Sequence, residues 1–433
     1  MAEPVTDTPA NSTDATDTPT ATPRPWSAVL RRLAVAFTFA KFRNMWLAAF
    51  TSAVGTWVQR LAKQLLILDL TGSAFLLGLD MVLAELPLLL FTLIGGVIAD
   101  RHDRRHLLMA SQTLQMACAL VLAAIVFFDV TRVRYILALS FVSGLAQAFG
   151  GPAFQSLIPS LVPRRHLPNA VALNSIQFNL AQTIGPPIGV VVLAALGMAG
   201  CFGLNALSFL AVIAVLGLMR VPPPAPATRE RILTELRDGL RYVWHGGALL
   251  ALTVLAFATT SLALPIRTFL PVFARDVFGL GDAQLGWMLA MVGAGSVVGA
   301  LIVAWLGKFE HMGRTVLLVQ VVFGGLVAAF ALLPVSGFSY VLLFLGGTAL
   351  LMIFSLTNSL VQLTVPDELR GRVISIYLMA FRGGMPLGSF VSGYFITRFS
   401  APAVIATNGL LLSLVALQRL LLRRQTGRLL PQR

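Results

Sequence analysis

Apolar stretches recur along almost the whole chain, most of them about 17 to 25 residues long, and no other feature constrains its fold so tightly. Each can cross a hydrocarbon core of about 30 Å at about 1.5 Å per residue. A membrane β-barrel would need segments of about ten residues alternating apolar and polar. Met116 to Phe128 and Val321 to Leu333 do not alternate. With 57% hydrophobic and 12% charged residues over 433 positions, the chain is too apolar for a soluble globular protein of this length. The predicted fold is therefore all-α and integral to a membrane, with twelve transmembrane helices. The spans are expected near 45–69, 74–98, 107–128, 134–157, 169–194, 199–219, 247–272, 283–306, 315–335, 338–361, 373–397 and 401–421.

Charge distribution sets the orientation. Of 32 Lys and Arg, four (Arg60, Lys63, Arg267, Arg382) lie within spans and four (Arg132, Arg134, Arg275, Arg398) on one side, leaving 24 on the side of the N-terminus. The positive-inside rule makes that side cytoplasmic and puts both termini there. The net charge of +14 then reads as attraction to anionic lipid, not to nucleic acid. Cys118 and Cys201 sit in apolar segments as packing residues, and the five histidines lie in or beside basic segments between spans. Neither pattern suggests a metal, a haem or another cofactor.

Residues 1–40 read as a disordered cytoplasmic tail and lead-in, since their first 25 are rich in Thr, Pro, Ala and Asp and lack the apolar core of a signal peptide. Two six-helix bundles follow, at 41–220 and 247–422. Between them, 221–246 is a linker in which Pro222, Pro223, Pro224 and Pro226 stop a span and Thr228 to Tyr242 form a charged amphipathic helix. A basic tail closes the chain at 423–433. Internal similarity supports the division: Gly185, Pro187 and Gly189 recur as Gly384, Pro386 and Gly388, in the fifth span of each half.

Charges inside the spans are the sharpest functional signal. Arg60, Lys63 and Gln64 are spaced i, i+3, i+4 and share with Trp57 one face of the first span, which should line water. From the cytoplasmic ends of their spans, Lys63 and Asp80 both lie about 27 Å up, and Arg60 and Glu85 about 22 and 20 Å up. Matching depths predict the pairs Lys63 with Asp80 and Arg60 with Glu85, because a lone charge near mid-membrane costs at least about 2.5 to 3.5 kcal/mol. One reading makes Asp80 or Glu85 a proton carrier; the other makes the four charges a static set that fixes helix packing. Asp80 and Glu85 are about 140° apart around their helix, so they should not both face one cavity. Arg382 is a candidate anion contact, Arg267 is expected near the outer end of its span, and Asn174, Gln177 and Asn358 are candidate cavity residues or interhelix hydrogen-bonders.

Two motifs carry a resemblance. The loop Gly96-Val97-Ile98-Ala99-Asp100-Arg101-His102-Asp103-Arg104-Arg105 resembles the signature between helices two and three of the major facilitator superfamily: Gly, three residues, Asp, a basic residue, any residue, Gly, then two basic residues. Asp103 stands where the second Gly is usual. The resemblance implies a cytoplasmic gate in which Gly96 permits close helix contact while Asp100, Arg101, Arg104 and Arg105 make charge-assisted bonds. The run Gly185-Pro186-Pro187-Ile188-Gly189 is similar to the motif of that superfamily's exporter branch and would bend the fifth span. Longer stretches, Pro152 to Asn179 and Val365 to Gly388 with Pro366-Asp367-Glu368-Leu369-Arg370-Gly371-Arg372, resemble the bacterial siderophore-exporter-like subgroup.

That resemblance implies proton-driven efflux of a small amphipathic molecule, siderophore-like or drug-like, across a bacterial inner membrane by a monomer that handles substrate, protons and membrane lipid. Two alternatives remain at this point: a lipid or lysolipid transporter, and a solute importer or uniporter. No nucleophile and base can be recognised within the spans, so an enzyme is not expected, and no phosphate-binding glycine loop suggests ATP drive.

Overall fold

Without water in the hydrocarbon region every backbone polar group has to be bonded inside the segment itself, and helices are the outcome. The computed structural model describes residues 35–219, 240–307, 309–333, 336–366 and 369–426, and among them it contains helices and turns but no strand. The tail at 1–34, most of the linker, Asp367, Glu368 and residues 427–433 lie outside the described residues, as do the side chains of Asp100 and Arg101.

The first half comprises α1 (Ala40–Thr71), α2 (Ala74–Arg101), α3 (Arg104–Phe127), α4 (Val133–Leu157) and the helical stretch Leu167–Leu218. Gly197, at φ 66° and ψ −173°, breaks that stretch into α5 (167–196) and α6 (198–218). The second half comprises α7 (Gly247–Val277), α8 (Asp282–Leu306), α9 (Met312–Leu332), α10 (Ser336–Thr364), α11 (Arg370–Ile396) and α12 (Ala401–Thr426). These are the twelve spans expected from the sequence. By length and apolarity alone ten stretches qualify. The difference is instructive: α5 and α6 run together in one 55-residue stretch, and α1 is too polar to qualify. A spanning helix that polar needs protein around it.

Glycines set how closely the helices approach. Gly185 and Gly189 of α5 pack on α1, where an added Cβ would meet the Trp57 Cβ and come within 3.3 Å of the Val58 Cα. Gly384 and Gly388 of α11 pack in the same way on α7, at Thr260 and the Ser261 carbonyl. The repeated motif thus holds the fifth helix of each half against the first. The other pairs repeat as well: α2 lies on α4 and α8 on α10, α3 on α6 and α9 on α12. α7 differs from α1 in carrying π turns at Thr259–Ala263 and Phe273–Val277, beside Pro265 and Pro271. The Leu255 carbonyl takes bonds from the Thr259 hydroxyl (2.8 Å) and from Gln320 Nε2 (3.1 Å) of α9.

Between the halves, α2 meets α11 and α5 meets α8. Phe75 and Phe390 pack with tilted rings, centroids 5.3 Å apart, Gly78 lies under the Ser389 carbonyl, and Gly286 and Gly293 receive Val190 and Thr183. These contacts run from the end of the bundle that carries Gly72, Gly279 and Ser400 to about mid-helix. At that same end Arg275 of α7 pairs with Asp69 of α1 and, at 3.0 Å, with Asp282 of α8. The halves are therefore clasped at the end opposite the basic loops.

Gly185→Ala and Gly388→Ala are each expected to lower stability by about 1–3 kcal/mol, because the new methyl meets backbone or a Cβ that cannot rotate away. Gly203→Ala in α6, where a Cβ would meet nothing within 4 Å, is the control expected to unfold at or above the wild-type temperature. Thermal melts of the purified variants check both.

Candidate functional site

The polar face of α1 is met by acids of α2 at the depths their positions dictate. Lys63 Nζ lies 2.9 Å from Asp80 Oδ2 and donates to Ser140 Oγ of α4 at 2.7 Å, while the Ser140 hydroxyl donates to Asp80 Oδ1 at 2.5 Å. Three helices are thus joined by one closed triangle. The Lys63 and Asp80 side chains are 12% and 8% exposed. Burying either charge alone would be costly, and the pair removes most of that cost by mutual attraction plus the serine.

A second pair lies nearer open space. Arg60 NH2 is 3.1 Å from Glu85 Oε1, with side chains 33% and 23% exposed, and the guanidinium sits 4.9 Å from the centroid of the Trp57 ring. Trp57 is itself fixed by Gly185 beneath its Cβ. Across from this pair Arg267 of α7 is half-buried, not at the outer end of its span; Arg60 is its electrostatic neighbour. The Gln182 amide of α5, turned so that its oxygen faces Arg267, accepts from both terminal guanidinium nitrogens at 3.0 and 3.3 Å.

The remaining expected cavity residues are dispersed. Gln64 and Asn174 are half-buried, Gln177 is buried, and Asn358 and Arg382 are exposed. Arg382 makes no hydrogen bond or ion pair among the described residues. Reasoning from sequence missed Ser140 and Gln182. Nothing marks one serine or glutamine among many until the helices are packed, although Ser140 lies within the depth range that paired the charges.

In the basic loop the Asp103 side chain caps α3 by accepting from the Arg105 amide at 2.9 Å and pairs with His106 at 2.9 Å. Its φ of −61° needs no glycine, which explains how the usual second Gly can be replaced here. Arg104 donates to the Ser156 carbonyl at the end of α4, and Arg105 to the Gly217 carbonyl at the end of α6. Both bonds stay within the first half and place cations on helix C-termini. The close helix contact expected at Gly96 is made instead by Gly95, which packs under the Ala148 carbonyl of α4; a Cβ at Gly96 would meet nothing within 4 Å.

A family described as transmembrane secretion effector matches residues 34–429. The chain is similar to the multidrug efflux pump Tap of Mycolicibacterium fortuitum, 29% identical over 80% of this chain and 87% of that one. It is similar to the enterobactin exporter EntS of Shigella boydii, 28% identical over 90% and 95%, and to macrolide efflux protein A of Streptococcus pyogenes, 21% identical over 87% and 94%. Among solved structures it superposes on a bacterial homologue of the human lysosomal transporter Spinster in an inward-facing, unoccupied conformation. There the TM-score is 0.73 at 13% identity, covering 91% of this chain and 98% of the other. The nucleoside transporter NupG gives 0.68 at 15% identity, covering 87% and 98%.

Lys63→Met should destabilise the protein by about 3–5 kcal/mol by leaving Asp80 buried and unpaired, whereas Lys63→Met combined with Asp80→Leu should recover most of that loss. A thermal double-mutant cycle measures the coupling.

Proposed function

Because the chain belongs to the transmembrane secretion effectors of the major facilitator superfamily, which are transporters and not enzymes, we propose that it is a proton-coupled exporter of a small amphipathic molecule, siderophore-like or drug-like. One observation carries the reading: two cation–carboxylate pairs tie α1 to α2 inside the bundle, in a state clasped at one end. Protonating Asp80 cancels its attraction for Lys63 and leaves a buried ammonium with one serine oxygen, which favours a rearrangement that rehydrates the lysine. Protonating Glu85 frees Arg60 beside Trp57. Of the two we assign the carrier role to Asp80, the more deeply buried acid.

The positive-inside rule puts the basic end in the cytoplasm, with both termini, in a bacterial inner membrane. Substrate then enters from the cytoplasm in the state described here. The bundles at 41–220 and 247–422 rock on the α2–α11 and α5–α8 contacts, Arg275 leaves Asp69, and the far end opens. Closing the basic end brings its glycine-bearing surface, Gly96 included, against the other half, and Asp100 with it. The chain works as a monomer, because each half offers the other the partner it needs.

In inverted proteoliposomes with an imposed pH gradient, Asp80→Asn is expected to abolish gradient-driven uptake of a macrolide or catecholate substrate while substrate exchange without a gradient persists, and Glu85→Gln to reduce it. Full proton-driven transport by both variants would rule out these carriers. Gly96→Leu should fold normally, since the residue has open space, yet cut transport severely by blocking closure; unimpaired transport would remove Gly96 from the gate.

A further inference from the structure

We infer that Arg267, bonded to Gln182 across the two halves, is a recognition site for an anionic group, so that the cargo is an amphipathic anion. The argument starts from charge balance. The mid-span ionic groups drawn inward are Arg60, Lys63 and Arg267 against Asp80 and Glu85. Lys63 is matched by Asp80 and Arg60 by Glu85. Arg267 is left with an amide oxygen, a dipole where a full charge is required, and with another guanidinium as its electrostatic neighbour. An uncompensated cation at this depth is costly, and proteins keep such residues where a ligand supplies the missing charge.

The surroundings say what else the ligand is. Arg267 lines a cleft of ≈ 30 Å³ whose other walls are apolar, among them Leu270, Phe323, Val327 and Leu350. The cleft takes the edge of an apolar group, not the whole of one. A planar guanidinium with two parallel donors, now spent on one amide oxygen, fits the two oxygens of a carboxylate, sulfonate or phosphate better. Gln182 acts as a place-holder that yields when the acid arrives. Because Arg267 and Gln182 belong to different halves, an anion that takes the guanidinium also releases a contact between them.

This deepens the export reading and rests on it for the word cargo, but its test is equilibrium binding without a gradient, so it can fail while proton-driven export stands, and the reverse. Protein in zwitterionic nanodiscs, with empty discs subtracted, is titrated with 8-anilinonaphthalene-1-sulfonate, with the neutral N-phenyl-1-naphthylamine and with tetraphenylphosphonium. The anion is expected to bind most tightly. Arg267→Gln is expected to weaken it about tenfold or more and to leave the neutral probe unchanged, with Arg267→Lys in between. Arg134→Gln, on an exposed arginine at the start of α4, should change nothing. Ligand-free Arg267→Gln is expected to melt at or above the wild-type temperature, since it loses an unbalanced charge, which separates lost recognition from lost fold. Equal binding of the anion by Arg267→Gln, tighter binding of the cation, or no binding of the anion to the wild type would each overturn the proposal.

Discussion

The ion pair between Lys63 and Asp80 is the interaction on which the rest of this structure turns. A helix as polar as α1 has no stable place against lipid, so α2, α4 and α5 surround it, and what they present is dictated by its charges: a carboxylate and a serine at the depth of Lys63, a carboxylate at the depth of Arg60. Gly185 and Gly189 let α5 come close enough to cover the adjoining face, at Trp57 and Val58. Helix packing in a membrane has little hydrophobic drive of its own, so small residues and satisfied polar groups set the geometry.

The two halves use one plan with different content. Each holds its fifth helix on its first through the same Gly-x-Pro-x-Gly spacing, and each pairs second with fourth and third with sixth. Yet the first helix of one half carries charges, and its counterpart α7 carries two π turns, three buried threonines and two arginines, Arg267 and, at the clasped end, Arg275. π turns recur at functional places because they break the helical register and free carbonyls for other partners. Here the Leu255 carbonyl, next to the first π turn, takes an added bond from Gln320, whose own side-chain oxygen is buried with no partner among the described residues. The charged helix and the deformable helix face one another across the space between the halves, so a change of charge on one side meets a backbone on the other that can adjust.

Much of this was legible in the sequence, and the reasons differ by feature. Hydrophobic length located the spans because the bilayer imposes a single thickness, and depth along those spans paired Lys63 with Asp80 and Arg60 with Glu85 because buried charges have to match. Rotation about a helix axis was harder to read. Gly95 and Gly96 sit side by side, and only packing decides that Gly95 meets α4. Arg267 was expected at the outer end of its span because depth alone does not say whether a residue points to lipid, to headgroups or to the opposite half. Asp103 shows the limit of motif reading: a position where glycine is usual works with an aspartate, since the turn has an ordinary negative φ and the side chain adds a cap.

The central claim is that protonation of the buried acid decides which end of the bundle is open. Spin labels at His102 and His311 report the basic end, and labels at Asp129 and Leu333 the opposite end, all at exposed positions, after replacement of Cys118 and Cys201. Distance distributions recorded by double electron–electron resonance should shift in opposite directions for the two pairs when the wild type is replaced by Asp80→Asn, which removes the carboxylate charge as protonation does. Distances left unchanged by Asp80→Asn, or shifted in the same direction at both ends, would contradict it.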